Sequence, residues 1–293
     1  MKPITTEEKI INQCIKILKV KPADIQIIER FLGGMSNYTY HVKVKNNYYV
    51  TRIIGEGGEV FVNRIVEYAH LSMIDKLNIT PPVVYFDTFS GFKITHYIKG
   101  QVLSQNLTSN DLQLVANTLH KLHSIDTKGA YDYALFERLS YYQSLVKSNL
   151  SSQYYTLLNE LTKLYETKYY QYKKVFCHGD AQRSNIVISD NQAYLLDFEF
   201  AGLNDAYYDI ASFGNINLDD ALDLLAVYLG KTPNQEEVKR LWFNRFYQVL
   251  QWHIVALIKH EIGLSDKLKI AFDVVSQKYL TIAQTLYEKI IKD

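Results

Sequence analysis

Hydrophobic and polar residues alternate with different periods in the two parts of this chain. Ile10, Ile11, Cys14, Ile15, Ile17 and Leu18 recur on one side of a helical repeat, which predicts an amphipathic helix over 5–19. Strand-like alternation follows at 25–32, 38–44 and 48–54, with breaks at Gly33-Gly34 and a turn expected at Asn46-Asn47. Val62, Ile65, Val66, Ala69 and Met73 predict a helix over 60–77, and 83–87 with 92–97 reads as a hairpin around Ser90-Gly91. Beyond Gly100 the periodicity becomes mainly helical, over 109–125, 134–149, 151–170 and from 207 to the end. Short strands interrupt it at 174–177, 186–189 and 193–198. The pattern predicts an α+β chain with a sheet-rich lobe over 1–97 and a larger, mainly helical lobe over 98–293.

Composition narrows the function classes. Hydrophobic residues make up 47% of the 293, enough for a packed core, and 32 basic against 31 acidic residues leave a net charge of +1. A nucleic-acid binder needs a basic face, so none is expected as a partner. The two cysteines cannot build a disulfide framework or a zinc site. No apolar run approaches the roughly 20 residues that span a membrane. The expectation is a cytoplasmic protein without membrane insertion, its oligomeric state open.

The densest chemistry lies in His178-Gly179-Asp180-Ala181-Gln182-Arg183-Ser184-Asn185, between two apolar strands. Asp197 follows at the end of Tyr194-Leu195-Leu196-Asp197-Phe198. An ordered Asp, Asn and second Asp flanking a hairpin suits phosphoryl transfer. Magnesium prefers hard oxygen ligands, which Asn185 and Asp197 supply. Asp180 is placed to orient, and deprotonate, an attacking hydroxyl. Protein kinases carry H-R-D-x-x-x-x-N followed by D-F-G; here Gly179 replaces the Arg and Asp197-Phe198-Glu199 replaces D-F-G.

HGDAQRSN and LLDFEFAGLNDAYYDIA resemble the choline/ethanolamine kinase branch of the aminoglycoside-phosphotransferase-like kinases. LGGMSNYTY and the run TRIIG…VNRIVE resemble bacterial choline kinases of the LicA type, and the resemblance covers most of 30–260. It implies a protein-kinase-like two-lobed fold, ATP and Mg2+ as cofactors, and a small-molecule acceptor. Gly34, Ser36 and Asn37 would form the turn over the nucleotide phosphates. Arg52 stands where kinases place a phosphate-binding Lys, with Glu67 as its partner and Glu59 as the runner-up. His178 and Asp209 would support the catalytic loop, while Arg183 reads as a solvent-exposed residue able to touch phosphate.

A cationic acceptor calls for aromatic faces and a carboxylate. Gln182, Glu199, Phe200 and Trp252 are the acceptor-site candidates, with Trp242 and Tyr247 as further aromatic ones. Trp252 matches a cage tryptophan of choline kinases. The family's frequent second Trp, three residues earlier, is Val249 here, and its frequent Tyr after D-F-E is Phe200. Choline is the leading acceptor, with ethanolamine, thiamine and aminoglycosides as alternatives. A catalytically inactive nucleotide-binding module is the alternative from another class.

Overall fold

The computed structural model describes residues 4–31, 37–104 and 106–292. The chain divides into two compact units, Met1–Gln101 and Val102–Asp293.

The first unit is an antiparallel sheet with two helices. Strands β1 (Ile25–Phe31), β2 (Asn37–Val44), β3 (Asn47–Ile54), β4 (Val83–Phe86) and β5 (Lys93–His96) lie in the order β1-β2-β3-β5-β4. Period-2 alternation puts Tyr40, Val42 and Val44 of β2 on one face. They bury there against Ile10 and Cys14 of helix α1 (Thr6–Leu18) and against Phe92 and Ile94. Burial pushes the Cys14 thiol up to about 11, so it is an inert core group. The β2–β3 turn is Lys45-Asn46, one residue earlier than expected, with Lys45 at φ 54. Helix α2 (Arg64–Ile74) also starts later than its apolar pattern suggests. The Asn63 side chain accepts from the Ile65 and Val66 N–H groups and so fixes the start. The last turn of the expected helix, Asp75–Leu77, is a 3-10 turn.

Strand β6 (Gln101–Val102) lies at the boundary. The second unit then runs through helices α3 (Ser109–His123), α4 (Leu135–Leu145) and α5 (Ser152–Leu164), which passes into one π-helical turn at Tyr165–Tyr169. Strands β7 (Lys174–Cys177), β8 (Ile186–Ser189), β9 (Gln192–Leu195) and β10 (Gly202–Asp205) follow. β8 and β9 form the expected hairpin, turning at Asp190-Asn191 with both φ positive. β10 pairs antiparallel with β7, a pairing the sequence pattern does not announce. Helices α6 (Tyr207–Phe213), α7 (Leu218–Leu229), α8 (Gln235–Glu261), α9 (Leu264–Leu268) and α10 (Phe272–Ile291) complete the chain. At 27 residues α8 is the longest, and a capping box of Asn234 and Glu237 fixes its start. It is buried along most of its length from Leu241 to Lys259, so its polar residues there stand inside the protein.

Candidate active site

The His178–Asn185 segment leaves β7 and is held by one buried acid. Asp209, in the first turn of α6, accepts from the His178 N–H at 2.7 Å and the Gly179 N–H at 2.9 Å. The carboxylate also accepts from His123 Nε2 at 3.0 Å, and His123 Nδ1 in turn meets the Tyr228 hydroxyl at 3.0 Å. An acceptor-only carboxylate on one side fixes His123 as the Nε2–H tautomer. His178 is fixed likewise. Its Nδ1 accepts from the Asp180 N–H at 3.1 Å, so Nε2–H donates to the Leu196 carbonyl at 2.8 Å. One imidazole thereby ties the Asp180 loop to the residue preceding Asp197.

Gly179 explains the missing kinase arginine. Its φ is +79°, and a Cβ there would stand 2.1 Å from the Phe200 carbonyl oxygen. Only glycine lets the Phe198-Glu199-Phe200 turn approach this closely.

Cys177, His123 and Asp209 are close enough to ligate one ion. Their chemistry points away from it. Burial holds the Cys177 thiol protonated, and its sulfur donates to the Asn204 and Asp205 carbonyls. Asp209 is already committed to two N–H groups and an imidazole.

Asp180 sits among the site's polar groups. Gln182 Nε2 donates to its Oδ2 at 3.1 Å and Asn185 Nδ2 donates to the same oxygen at 2.9 Å. Burial, then the charges of Asp197 and Glu199, pushes the Asp180 carboxyl well above its ordinary range, while the two amides pull it back. Asn185 Nδ2 also donates to the Asp180 carbonyl at 3.0 Å, and Asn215 Nδ2 fixes Gln182 through its Oε1 at 2.7 Å. With both Asn185 bonds made by Nδ2, its Oδ1 takes no hydrogen bond among the described residues. Asp197 adopts a left-handed backbone, φ 63 and ψ 71, sparsely populated for a non-glycine residue and typical of functional turns.

The acceptor candidates cluster in part. Phe200 and Trp252 meet edge to face, centroids 5.9 Å apart, and Trp252 is half-buried. Trp242 does not join them: its ring faces Lys289 of α10. Tyr247 is a core residue whose hydroxyl donates to the Leu135 carbonyl, and Val249 is fully buried. The Arg138 guanidinium, which sequence reasoning missed, lies over the Tyr133 ring at 4.2 Å and the Phe200 ring at 5.7 Å. Arg183 corrects its expectation as an exposed residue. It is buried, donates twice to the Leu103 carbonyl and pairs with Asp220 at 2.5 Å, so it braces the loop from beneath.

In the first unit Arg52 lies in register with Lys93 on the neighbouring strand. Arg52 grips both oxygens of Glu67 at 2.7 and 2.8 Å. Arg64 donates to the same carboxylate at 2.9 Å and Lys93 at 2.8 Å, so three cations converge on one buried acid. Burial pushes the Glu67 carboxyl up, but Lys93, Arg52 and Arg64 overcome it and hold it well below the usual carboxylate range. Asn37 Oδ1 accepts from Arg64 at 3.2 Å. Glu59 is exposed. Gly34 and Ser36 lie outside the described residues. Lys93 carries no motif and looks like an ordinary surface cation in the sequence; strand register with Arg52 reveals it, whereas Arg64 stands three residues before Glu67 on α2, within the run VNRIVE.

Among the described residues no helix is long and apolar enough to cross a membrane. Residues 28–272 match the choline/ethanolamine kinase family. The protein LicA of Haemophilus influenzae is 26% identical over 253 residues, covering 79% of this chain and 73% of LicA. The crystal structure of choline kinase LicA from Streptococcus pneumoniae superposes with a TM-score of 0.78 at 23% identity, covering 97% of this chain and 99% of that one. The GDP complex of an aminoglycoside phosphotransferase gives a TM-score of 0.71 at 13% identity, covering 97% and 99%. The fold is therefore the protein-kinase-like one that these enzymes share.

Proposed function

The chain belongs to the choline/ethanolamine kinase family and is a small-molecule kinase, and from that premise we propose that it transfers the terminal phosphoryl group of ATP, with Mg2+, to the hydroxyl of a small cationic alcohol, choline first. The observation that carries this reading is the arrangement of Asp180, Asn185 and Asp197 around the His178 clip, with Phe200 and Trp252 in edge-to-face contact.

The donor set fits a hard divalent cation. Asn185 turns its N–H groups to Asp180, which leaves the amide oxygen as the ligand atom, and Asp197 supplies a carboxylate from its constrained turn. Held by Asn185 and Asp197, magnesium would supply positive charge against the negative charge that builds on the transferred phosphoryl group. Asp180 accepts the hydrogen bond of the acceptor hydroxyl and orients its oxygen. Gln182 and Asn185 fix the carboxylate's rotamer, so this orientation exists before the acceptor arrives. Glu199 and the Trp252 indole offer the acceptor's ammonium a carboxylate and a π face. In the first unit, Glu67 aligns Arg52 for the nucleotide phosphates.

Val249 leaves the cage with one indole, which places ethanolamine second, since a primary ammonium relies on hydrogen bonds more than on enclosing rings. An ADP-release assay over choline, ethanolamine, thiamine and an aminoglycoside tests the reading. Choline should give the highest kcat/KM, and its neutral carbon isostere should fall by about tenfold or more, the worth of a partly desolvated cation–π contact. Equal turnover of the isostere would remove the cationic site. Stabilisation by MgATP without turnover of any acceptor would favour an inactive module.

A further inference from the structure

Arg245, Trp252 and Lys259 follow one another along α8 at heptad spacing, which puts all three on one face of the helix. Arg245 is 4% exposed and Lys259 2%. Arg245 donates to Gln248 Oε1 at 3.1 Å, its Nε has no hydrogen-bond partner, and no carboxylate forms an ion pair with it among the described residues. Arg138, half-buried, also lacks a carboxylate ion pair among the described residues; its bonds go to the Tyr133 carbonyl at 3.2 Å and the Tyr142 hydroxyl at 3.3 Å.

Burying a guanidinium without a counter-ion is costly, so sites that keep one call for an explanation. The acids whose fields reach these cations belong to the proposed acceptor site. Glu199 and Asp180 act on Lys259, which burial pushes down to about 8, and Asp180 acts on Arg245. Trp252, between the two cations on the helix, touches Phe200, and Arg138 lies over Phe200. Fixed positive charge thus backs the aromatic and acidic groups on which an ammonium would rest.

We propose that Arg245, Lys259 and Arg138 are specificity-determining residues that restrict the acceptor to a single positive charge and reject polycationic alcohols such as aminoglycosides. The proposal rests on the acceptor placement given above. One ammonium is seated by Glu199 and Trp252. A second meets like charges in a medium that screens them poorly, and repulsion built against the wrong ligand is how many sites discriminate. At an effective dielectric near 20, one like-charge pair about 12 Å apart lowers affinity on the order of tenfold. No contact between these side chains and the acceptor is required.

Two choline derivatives isolate charge from size. In one, a trimethylammonioethyl arm replaces an N-methyl group; in the other, carbon replaces the distal nitrogen. Binding by calorimetry and turnover by ADP release are both measured at neutral pH. The wild type should bind the doubly charged compound about tenfold or more weakly than its singly charged isostere. Arg245→Gln and Lys259→Met should each shrink that ratio about threefold or more, and Arg245→Lys should restore it. Lys259→Met keeps the test open should Arg245→Gln misfold. Equal binding of the two compounds by the wild type, or an unchanged ratio in both neutral variants, overturns the charge limit. Failure of choline and of the singly charged isostere to bind at all defeats instead the acceptor placement beneath it.

Discussion

Glu67→Gln is the most informative change in the first unit. The side chain is fully buried, and its two oxygens take hydrogen bonds from Arg52, Arg64 and Lys93 at 2.7–2.9 Å. Glutamine keeps the shape but removes the charge that three cations share. Leaving buried cations without their carboxylate costs about 3–5 kcal/mol. For a chain of this size that lowers Tm by roughly 6–10 °C. The pH dependence follows from the direction of the shift. Glu67 is held below its ordinary range, so its contribution is fully present above the unfolded-state value near 4.3 and is lost only as pH falls through the lower folded value. The stability gap between wild type and variant should stay constant from pH 8 to about pH 5 and narrow below about pH 4. Urea melts of both proteins across that range measure it. ATP affinity by calorimetry should fall in parallel, because Arg52 loses its alignment. A gap under about 1 kcal/mol at pH 7, the size of an exposed pair, would refute the claim that this cluster is a buried organising centre.

Three further outcomes follow from the second unit. Gly179→Ala places a methyl group 2.1 Å from the Phe200 carbonyl oxygen at a φ of +79°; a displacement on the order of 1 Å there should cost about 100-fold in kcat, read by ADP release. Asp197→Ala should abolish the magnesium dependence of ATP binding in calorimetry, and Asn185→Ala should weaken it while also loosening Asp180; an unchanged dependence in Asp197→Ala would exclude it as a ligand. Trp252→Ala should raise the acceptor KM with ATP affinity unaltered, and Trp252→Phe should recover part of the loss; a fall in Tm with an unaltered KM would make Trp252 a packing residue against Phe200.

The segment proposed to be catalytic is legible in the sequence because its parts are contiguous. Asp180, Asn185 and the later Asp197 stand in an order that few other chemistries need, and the β8–β9 hairpin between them showed in the alternation of the chain. What the sequence does not announce depends on partners distant along the chain. Lys93 joins Glu67 only because β3 and β5 align it with Arg52. His123 ends an ordinary amphipathic helix, and nothing local marks it as the partner of Asp209, 86 residues away. β10 shows no apolar alternation because its two buried positions hold Gly202 and Asn204, so only its pairing with β7 marks it as a strand. Arg183 reads as exposed because a lone arginine usually is, whereas Asp220 and the Leu103 carbonyl satisfy it inside the fold. Along α8 the polar residues disguise the helix's burial: Arg245, Gln248, Gln251 and Lys259 all lie within it.

In the proposed reaction Asp180 directs an alcohol at a nucleotide's terminal phosphoryl group. The most direct measurement is phosphorus NMR of choline incubated with MgATP and either the wild type or Asp180→Asn. The wild type should accumulate a phosphate monoester of choline. The variant should bind ATP normally and form that product about 100- to 10,000-fold more slowly. A monoester appearing at near wild-type rate with Asp180→Asn would remove Asp180 from the mechanism.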